Sequence, residues 1–187
     1  MPDALNTKLL RNEVFCRICR ETCNTAMKSG NREQRACIRK KGRIMKVFVG
    51  NQFGRYFIIG LQKDDLILES IQKAVNEYGI KNAIITSGIA ATYHMRWHHI
   101  GNTEDRPSDV IMEHSAPMEV GGISGMVIDG TPHLHCTFSD HERAWAEHLE
   151  EGCRIQYVGE ISMIELLDVN LGRFANDFGV KLIGEKV

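Results

Sequence analysis

The sequence lacks a long apolar run, a secretory leader and the fingerprints of common nucleotide and nucleophile sites. No eighteen consecutive apolar residues occur among its 187 residues, so we expect no membrane-spanning helix and no membrane partner. Its first twenty residues carry no sustained apolar stretch after a basic start, which predicts a cytoplasmic location. Gly121, Gly122 and Gly125 are followed by no helical pattern, which argues against a dinucleotide fingerprint. No Ser/His/Asp or Cys/His signature stands out.

The six cysteines are few for a disulfide framework and are expected to be reduced thiols inside a cell. Four of them precede residue 45 with the spacing C-x2-C-x3-C-x13-C, namely Cys16, Cys19, Cys23 and Cys37. Four thiols can form a structural zinc site. The spacing differs from that of the usual paired knuckle, so a poorly ordered arm is the alternative.

Charge divides the chain into two parts although its net charge is only −1. Residues 1–45 hold eleven Lys/Arg against four Asp/Glu (+7), and residues 46–187 hold twelve against twenty (−8). We therefore predict a basic, cysteine-containing N-terminal arm over 1–45 and a folded domain over 46–187. A basic arm on an acidic body makes DNA a possible partner.

The folded part is expected to be α+β, a mostly antiparallel twisted sheet packed by one main helix. Residues 44–50 and 55–61 are short apolar runs around a turn, which favours a hairpin. Residues 63–80 have one apolar helical face, with Asp64 or Asp65 as the cap and Gly79 at the end. The strand over 82–90 is expected to run into a turn at Ser87-Gly88. A second, short helix is predicted over 139–152, where Ser139 and Glu142 fit a capping box.

The segment "GTPHLHCTF" (130–138) carries the main functional signal. On a strand, Leu134, Cys136 and Phe138 share an apolar face and point into the core, whereas His133 and His135 share the other face. Two imidazoles at i and i+2 lie about 6 to 7 Å apart at the backbone, close enough to chelate one divalent ion.

A metal needs a third donor, and His148 follows thirteen residues later. In the predicted second helix, His141, Trp145 and His148 share one face that can turn His148 toward the pair. His133, His135 and His148 with an open position would suit Zn²⁺. Imidazole also suits Ni²⁺, Cu²⁺ and Fe²⁺. The alternative is that His-x-His is solvent-facing and inert.

Two other groups of polar residues compete for attention. His94, Trp97, His98 and His99 form a second histidine-rich segment, whose members either line a pocket or pack in the core or on the surface. Glu160 and Glu165 follow His148 on the next strand. Glu160 is a candidate general base, or an acceptor for a ligating imidazole, and a buried structural carboxylate is the alternative.

Three stretches together resemble the plants-and-prokaryotes-conserved (PPC, DUF296) domain over about residues 46–168. They are "YFIIGLQKDDLILESIQKAVNEYGIKNAIITSGIA", "PHLHCTFSD" and "EHLEEGCRIQYVGEISMIEL". The resemblance implies a domain that assembles as a homotrimer, with members that bind zinc through histidines and members labelled DNA-binding. By motif position, the ligands would be His133, His135 and His148. Ala146-Glu147 stands where the family has Gly-Gly.

Three functional hypotheses follow. The first is a PPC-like homotrimer whose His-lined zinc site serves a small-ligand or regulatory role. The second is a metal-dependent hydrolase that uses the same histidines with Glu160 as the base. The third is DNA binding. Plant members carry Arg-Gly-Arg-Pro hooks, but Lys41-Gly42-Arg43 lacks the proline, so the arm would offer charge rather than minor-groove recognition.

Overall fold

A computed structural model describes residues 45–186. The predicted arm and its four cysteines therefore lie outside the described residues, apart from Met45. Within the described residues there is one helix, α1, which spans Ile67–Glu77. The strands are β1 (Phe53–Gln62), β2 (Ala83–Ile100), β3 (Asp109–Ile128), β4 (Thr131–Ser139), β5 (Ala144–Leu149), β6 (Arg154–Leu166), β7 (Leu171–Ala175) and β8 (Lys181–Glu185). No described helix is long and apolar enough to cross a membrane.

Six of the strands form one antiparallel sheet in the order β1-β6-β2-β3-β4-β5. Strand β5 also pairs with β2, so β2, β3, β4 and β5 form a closed ring of strands. Strands β7 and β8 form a separate two-stranded sheet. The expectation of a mostly antiparallel sheet with one main helix is confirmed.

Helix α1 packs its apolar face on the sheet as the sequence pattern predicts. Ile67, Ile71 and Val75 are buried, and Gly79 has a φ of 66°, the left-handed conformation that ends a helix. The predicted cap is wrong, because the N-cap is Leu66 and no side chain caps it. Asp65 instead accepts a hydrogen bond from the backbone N–H of Gln62.

Two local predictions in the first half of the domain are wrong. Residues 45–52 form no strand, and β1 pairs with β6 rather than with that segment. The Arg55 guanidinium joins these strands through hydrogen bonds of 2.8 and 2.7 Å to the Glu165 carboxylate. Strand β2 also continues through Ser87-Gly88, where its register with β6 shifts between Ile85 and Ser87. The small residues mark an irregularity in a long strand rather than a turn.

The second predicted helix is also wrong, because residues 144–149 form β5. The signal read as a helix cap belongs to a hairpin turn. The Asp140 carboxylate accepts hydrogen bonds of 2.7 Å from the backbone N–H groups of Glu142 and Arg143, as Asp does in turns. Trp145 then stacks on Phe138 at 5.1 Å across β4 and β5, and this packing outweighs local helix propensity.

The inner face of the closed ring holds much of the core. Trp97 lies edge-on to Phe138 at 5.1 Å, and Leu134, Cys136 and Leu149 are buried with them. The predicted inward face of β4 is thus confirmed. Burial raises the pKa of the Cys136 thiol to about 12, so this thiol stays protonated and unreactive.

Candidate metal centre

A row of imidazoles crosses the outer face of three neighbouring strands. In the strand register, His135 of β4 lies opposite His148 of β5, and His148 lies opposite His98 of β2. Directly opposed residues in antiparallel strands project from the same face. His133, two residues before His135, joins the same face.

The structure brings the three predicted ligands together. One ring nitrogen from each of His133, His135 and His148 lies within 4.8 Å of the others. The ring centroids are 5.6 Å apart for His133 and His135, 4.9 Å for His133 and His148, and 5.1 Å for His135 and His148. His148 arrives from a strand, not from a helix, and His141 lies apart with an 84% exposed side chain.

A glycine allows β4 to lie close to β3 beside these rings. Gly125 lies opposite Leu134 and has a φ of 137°, a conformation that L side chains rarely adopt. A Cβ atom at this position would collide with the backbone carbonyl of His133. Any other residue at 125 would therefore displace the strand that carries His133 and His135.

The cluster is set up for neutral imidazoles. Burial, followed by the charges of His98 and His133, lowers the pKa of His148 to about 4. Burial also lowers the pKa of His133, with a contribution from the positive charge of Arg173. Burial favours the uncharged ring, and the uncharged ring is the form that binds a metal.

Arg173 brings an uncompensated positive charge toward this cluster. It lies on β7, is half-buried, and makes no side-chain hydrogen bond or ion pair with another described residue. Burial lowers the pKa of its guanidinium. Sequence analysis missed this residue, because nothing in "LGRFA" indicates that the strand returns to the histidines.

Glu150 and His98 adjoin the three rings and were not predicted as a pair. His98 Nδ1 lies 2.6 Å from Glu150 Oε1, and the rings of His98 and His148 stack with centroids 4.1 Å apart. His148 Nδ1 lies 3.5 Å from the same Glu150 oxygen. His98, His148 and Glu150 form a second group with donor atoms within 4.8 Å of one another.

The remaining candidates lie elsewhere. His94 Nδ1 pairs with Ser115 Oγ at 2.7 Å, and His99 Nδ1 with Glu147 at 3.1 Å. Glu160 lies opposite Ile89 on β2, nine residues before His98, or roughly 30 Å of extended strand. The structure therefore does not bring Glu160 to the histidine cluster.

The described residues fit a divalent ion such as zinc. Three imidazoles converge from two paired strands, with one ring nitrogen of each within 4.8 Å of the others, and burial keeps the rings of His133 and His148 uncharged near neutral pH. Three nitrogen donors with a position left open are the ligand set of accessible zinc sites. That these three histidines bind a metal remains a prediction.

Comparison with known proteins agrees with this architecture. The model of the plants and prokaryotes conserved (PCC) domain matches residues 49–167. The chain belongs to this family. It is the PPC family that the sequence stretches resemble, and the match includes all three histidines of the cluster. No curated protein matches the chain.

Solved structures share the PCC fold. A metal-containing protein from Archaeoglobus fulgidus has a TM-score of 0.66 at 23% identity, covering 75% of this chain and all of that one. A PPC protein from Pyrococcus horikoshii gives 0.64 at 23% identity, covering 76% and 99%. A Bacteroides thetaiotaomicron protein whose description proposes DNA binding gives 0.61 at 20% identity, covering 73% and 96%.

The low pKa of His148 predicts an acid-sensitive metal-free protein. Between about pH 6.5 and 4 the unfolded chain binds a proton at this ring that the folded chain does not. The free energy of unfolding should therefore fall as pH falls through this window. In His148→Asn the decrease should be smaller, measured by urea unfolding in the presence of a chelator.

The matched control for this experiment is His141→Asn, because the His141 side chain is 84% exposed. Its pH dependence should equal that of the wild type. The same slope in His148→Asn as in the wild type would contradict a depressed pKa at His148.

Proposed function

We propose that the protein is a cytoplasmic homotrimer that binds one divalent ion, zinc, per chain and uses it to hold a small ligand in a regulatory role. The ligands are His133, His135 and His148. The observation that carries the proposal is the convergence of their ring nitrogens within 4.8 Å. A bound zinc supplies a Lewis acid with a position open to a ligand atom. Ligand binding suits the site better than hydrolysis, because Glu160 lies outside the cluster.

An anionic ligand suits this site best. Arg173 is half-buried without an ion-pair partner among the described residues, and a buried charge is unfavourable until it is paired. Its charge acts on His133, one of the three proposed ligands. A carboxylate or phosphate can accept hydrogen bonds from the guanidinium while another of its oxygens approaches the metal.

The homotrimer is supported by an exposed apolar face of the sheet. Tyr56, Ile58, Ile89 and Val158 project from the side of β1, β6 and β2 that α1 does not cover, and Ile58 is 76% exposed. Exposed apolar patches of this kind often mark the surface through which a protein associates with a partner. Copies of the same chain are the occupant that the family resemblance implies.

DNA binding is the second candidate, favoured by the charge of residues 1–45. Two structural neighbours, from Bacteroides thetaiotaomicron and Ralstonia eutropha, have descriptions that propose DNA binding. The domain itself carries twelve basic and twenty acidic residues, which disfavours phosphate contacts on its surface. Any affinity for DNA should therefore come from the arm.

Metal content tests the first proposal. Full-length protein with Cys16, Cys19, Cys23 and Cys37 replaced by serine excludes thiol-bound zinc from the count. After reloading with zinc and desalting, elemental analysis should find one zinc per chain. His135→Ala in this background should retain almost none, because two imidazoles bind the ion too weakly to survive desalting.

In the same background, His141→Ala should keep the full zinc content, since His141 lies outside the cluster. A zinc-free wild type, or equal retention by the His135 variant, would show that the three rings are not the ligands.

Anion binding tests the role of Arg173. Cobalt(II)-substituted protein should change its visible spectrum on titration with acetate or phosphate, because an anion entering the open position alters the coordination of the metal. Arg173→Gln should raise the half-saturating concentration by about tenfold, the value of a charge-assisted hydrogen bond.

Lys181→Gln on β8 is the control, because it removes an exposed positive charge from the same hairpin. Its titration should match that of the wild type. No spectral response to either anion, or an unchanged response in Arg173→Gln, would contradict an anionic ligand.

Light scattering with size-exclusion chromatography tests the assembly. The wild type should have the mass of three chains, and Ile58→Glu should lower it to one, because a carboxylate cannot be buried on the apolar face without a partner. Leu182→Glu, which alters an exposed leucine of the two-stranded sheet, should remain trimeric. A monomeric wild type would overturn the homotrimer.

Gel-shift assays at low and moderate salt separate the second candidate. The full chain should bind duplex DNA in a salt-sensitive manner, whereas a fragment starting at Met45 should not. A variant of the full chain with Arg39, Lys40, Lys41 and Arg43 replaced by glutamine should lose affinity. Equal and negligible binding by all three proteins would eliminate DNA as a partner.

A further inference from the structure

Glu150, the residue after β5, places one carboxylate oxygen between two imidazoles. Its Oε1 lies 2.6 Å from His98 Nδ1 and 3.5 Å from His148 Nδ1. The backbone of Glu150 is itself fixed, because its N–H donates to the Arg96 carbonyl at 3.1 Å and its carbonyl accepts from the buried Cys153 thiol at 3.4 Å. The carboxylate is therefore anchored rather than free to sample the surface.

His148 depends on neighbours for the orientation of its ring. It stacks on His98 with an interplanar angle of 23°, and its Nδ1 is buried without a hydrogen bond to another described residue. The nearest carboxylate to that nitrogen is Glu150. A neutral imidazole carries one N–H and one lone pair, so a partner on one nitrogen decides which atom remains for a metal.

We propose that Glu150 is the positioning residue of the metal centre. It accepts the Nδ1–H of His148 and thereby leaves Nε2 of that ring for the ion, while its bond to His98 holds the stacked ring in place. The inference rests on the proposed function, because it needs the ion to be bound by His133, His135 and His148. Carboxylate partners of ligating histidines typically contribute 10- to 100-fold to metal affinity.

A second cation between His98, His148 and Glu150 is the competing arrangement, since their donor atoms also lie within 4.8 Å of one another. The observed contacts favour the positioning role. Glu150 already makes a short contact with His98, and the next carboxylate, Asp109, is 3.8 Å from His98 Nε2 and 60% exposed. To hold both ions, His148 would have to lose its N–H and bridge them through Nδ1 and Nε2, and Glu150 would then have no proton to accept from this ring.

Zinc competition against a chromophoric chelator tests the proposal in full-length protein with the four arm cysteines replaced by serine. Glu150→Gln should still bind one zinc per chain, but with 10- to 100-fold lower affinity. Its cobalt(II) derivative should show shifted visible bands, which a loss of general stability would not produce. Circular dichroism and thermal unfolding check that the variant is folded.

Glu147→Gln is the matched control. Glu147 lies on the same strand and accepts a contact from the exposed His99 at 3.1 Å, but it touches none of the three ligands. Its zinc affinity and cobalt spectrum should equal those of the wild type. His98→Gln should fall between the two variants, because it removes the support of Glu150 but not the carboxylate itself.

The outcomes separate this inference from the proposed function. Should the wild type bind no zinc, both are wrong. Should the wild type bind zinc through the three histidines while Glu150→Gln keeps the same affinity and spectrum, only the positioning role is wrong. Two zinc ions per chain in the wild type, falling to one in Glu150→Gln, would assign Glu150 to a second site and overturn the inference.

Discussion

The candidate site depends on the register in which β5 pairs with both β4 and β2. That register sets His148 opposite His135 on one side and opposite His98 on the other. A slip of one residue in this pairing would turn the imidazole of His148 toward the core. The inner face prevents the slip, because Trp145 stacks on Phe138 and contacts Trp97. The aromatic core and the outer imidazoles are two consequences of one strand pairing.

Crowding four imidazoles on one face is tolerable only if most of them stay uncharged. Burial depresses the pKa of His148 and of His133, so the rings avoid mutual repulsion at neutral pH. The charges at the margin are of opposite sign: Glu150 contacts His98 and His148, and the charge of Arg173 acts on His133. In the function proposed above, the carboxylate would orient a ligating imidazole and the guanidinium would attract an incoming anion.

Sequence analysis predicted the antiparallel sheet, the main helix and the convergence of His133, His135 and His148, because these follow from periodicity, the i, i+2 spacing and a family resemblance. It predicted a helix where β5 lies, since Ala144–Leu149 has good helix formers and Ser139 with Glu142 fits a capping box, whereas Asp140 organises a hairpin turn there. It missed Arg173 and the contact between Glu150 and His98, which are 52 residues apart in the sequence. Strand pairing and chain folding create these relations, and local patterns contain no information on them.

The error about β5 did not displace His148, and the reason is geometric. In a helix, His148 would have reached the pair by folding back over the sheet. In the strand it reaches the pair because alternate side chains project from opposite faces. One face carries Trp145, Glu147 and Leu149, and the other carries Ala144, Ala146 and His148. The core is built from the opposite face, where Leu149 is buried. Substitutions of the outer histidines therefore change the chemistry of the site while the residues that specify the fold remain in place.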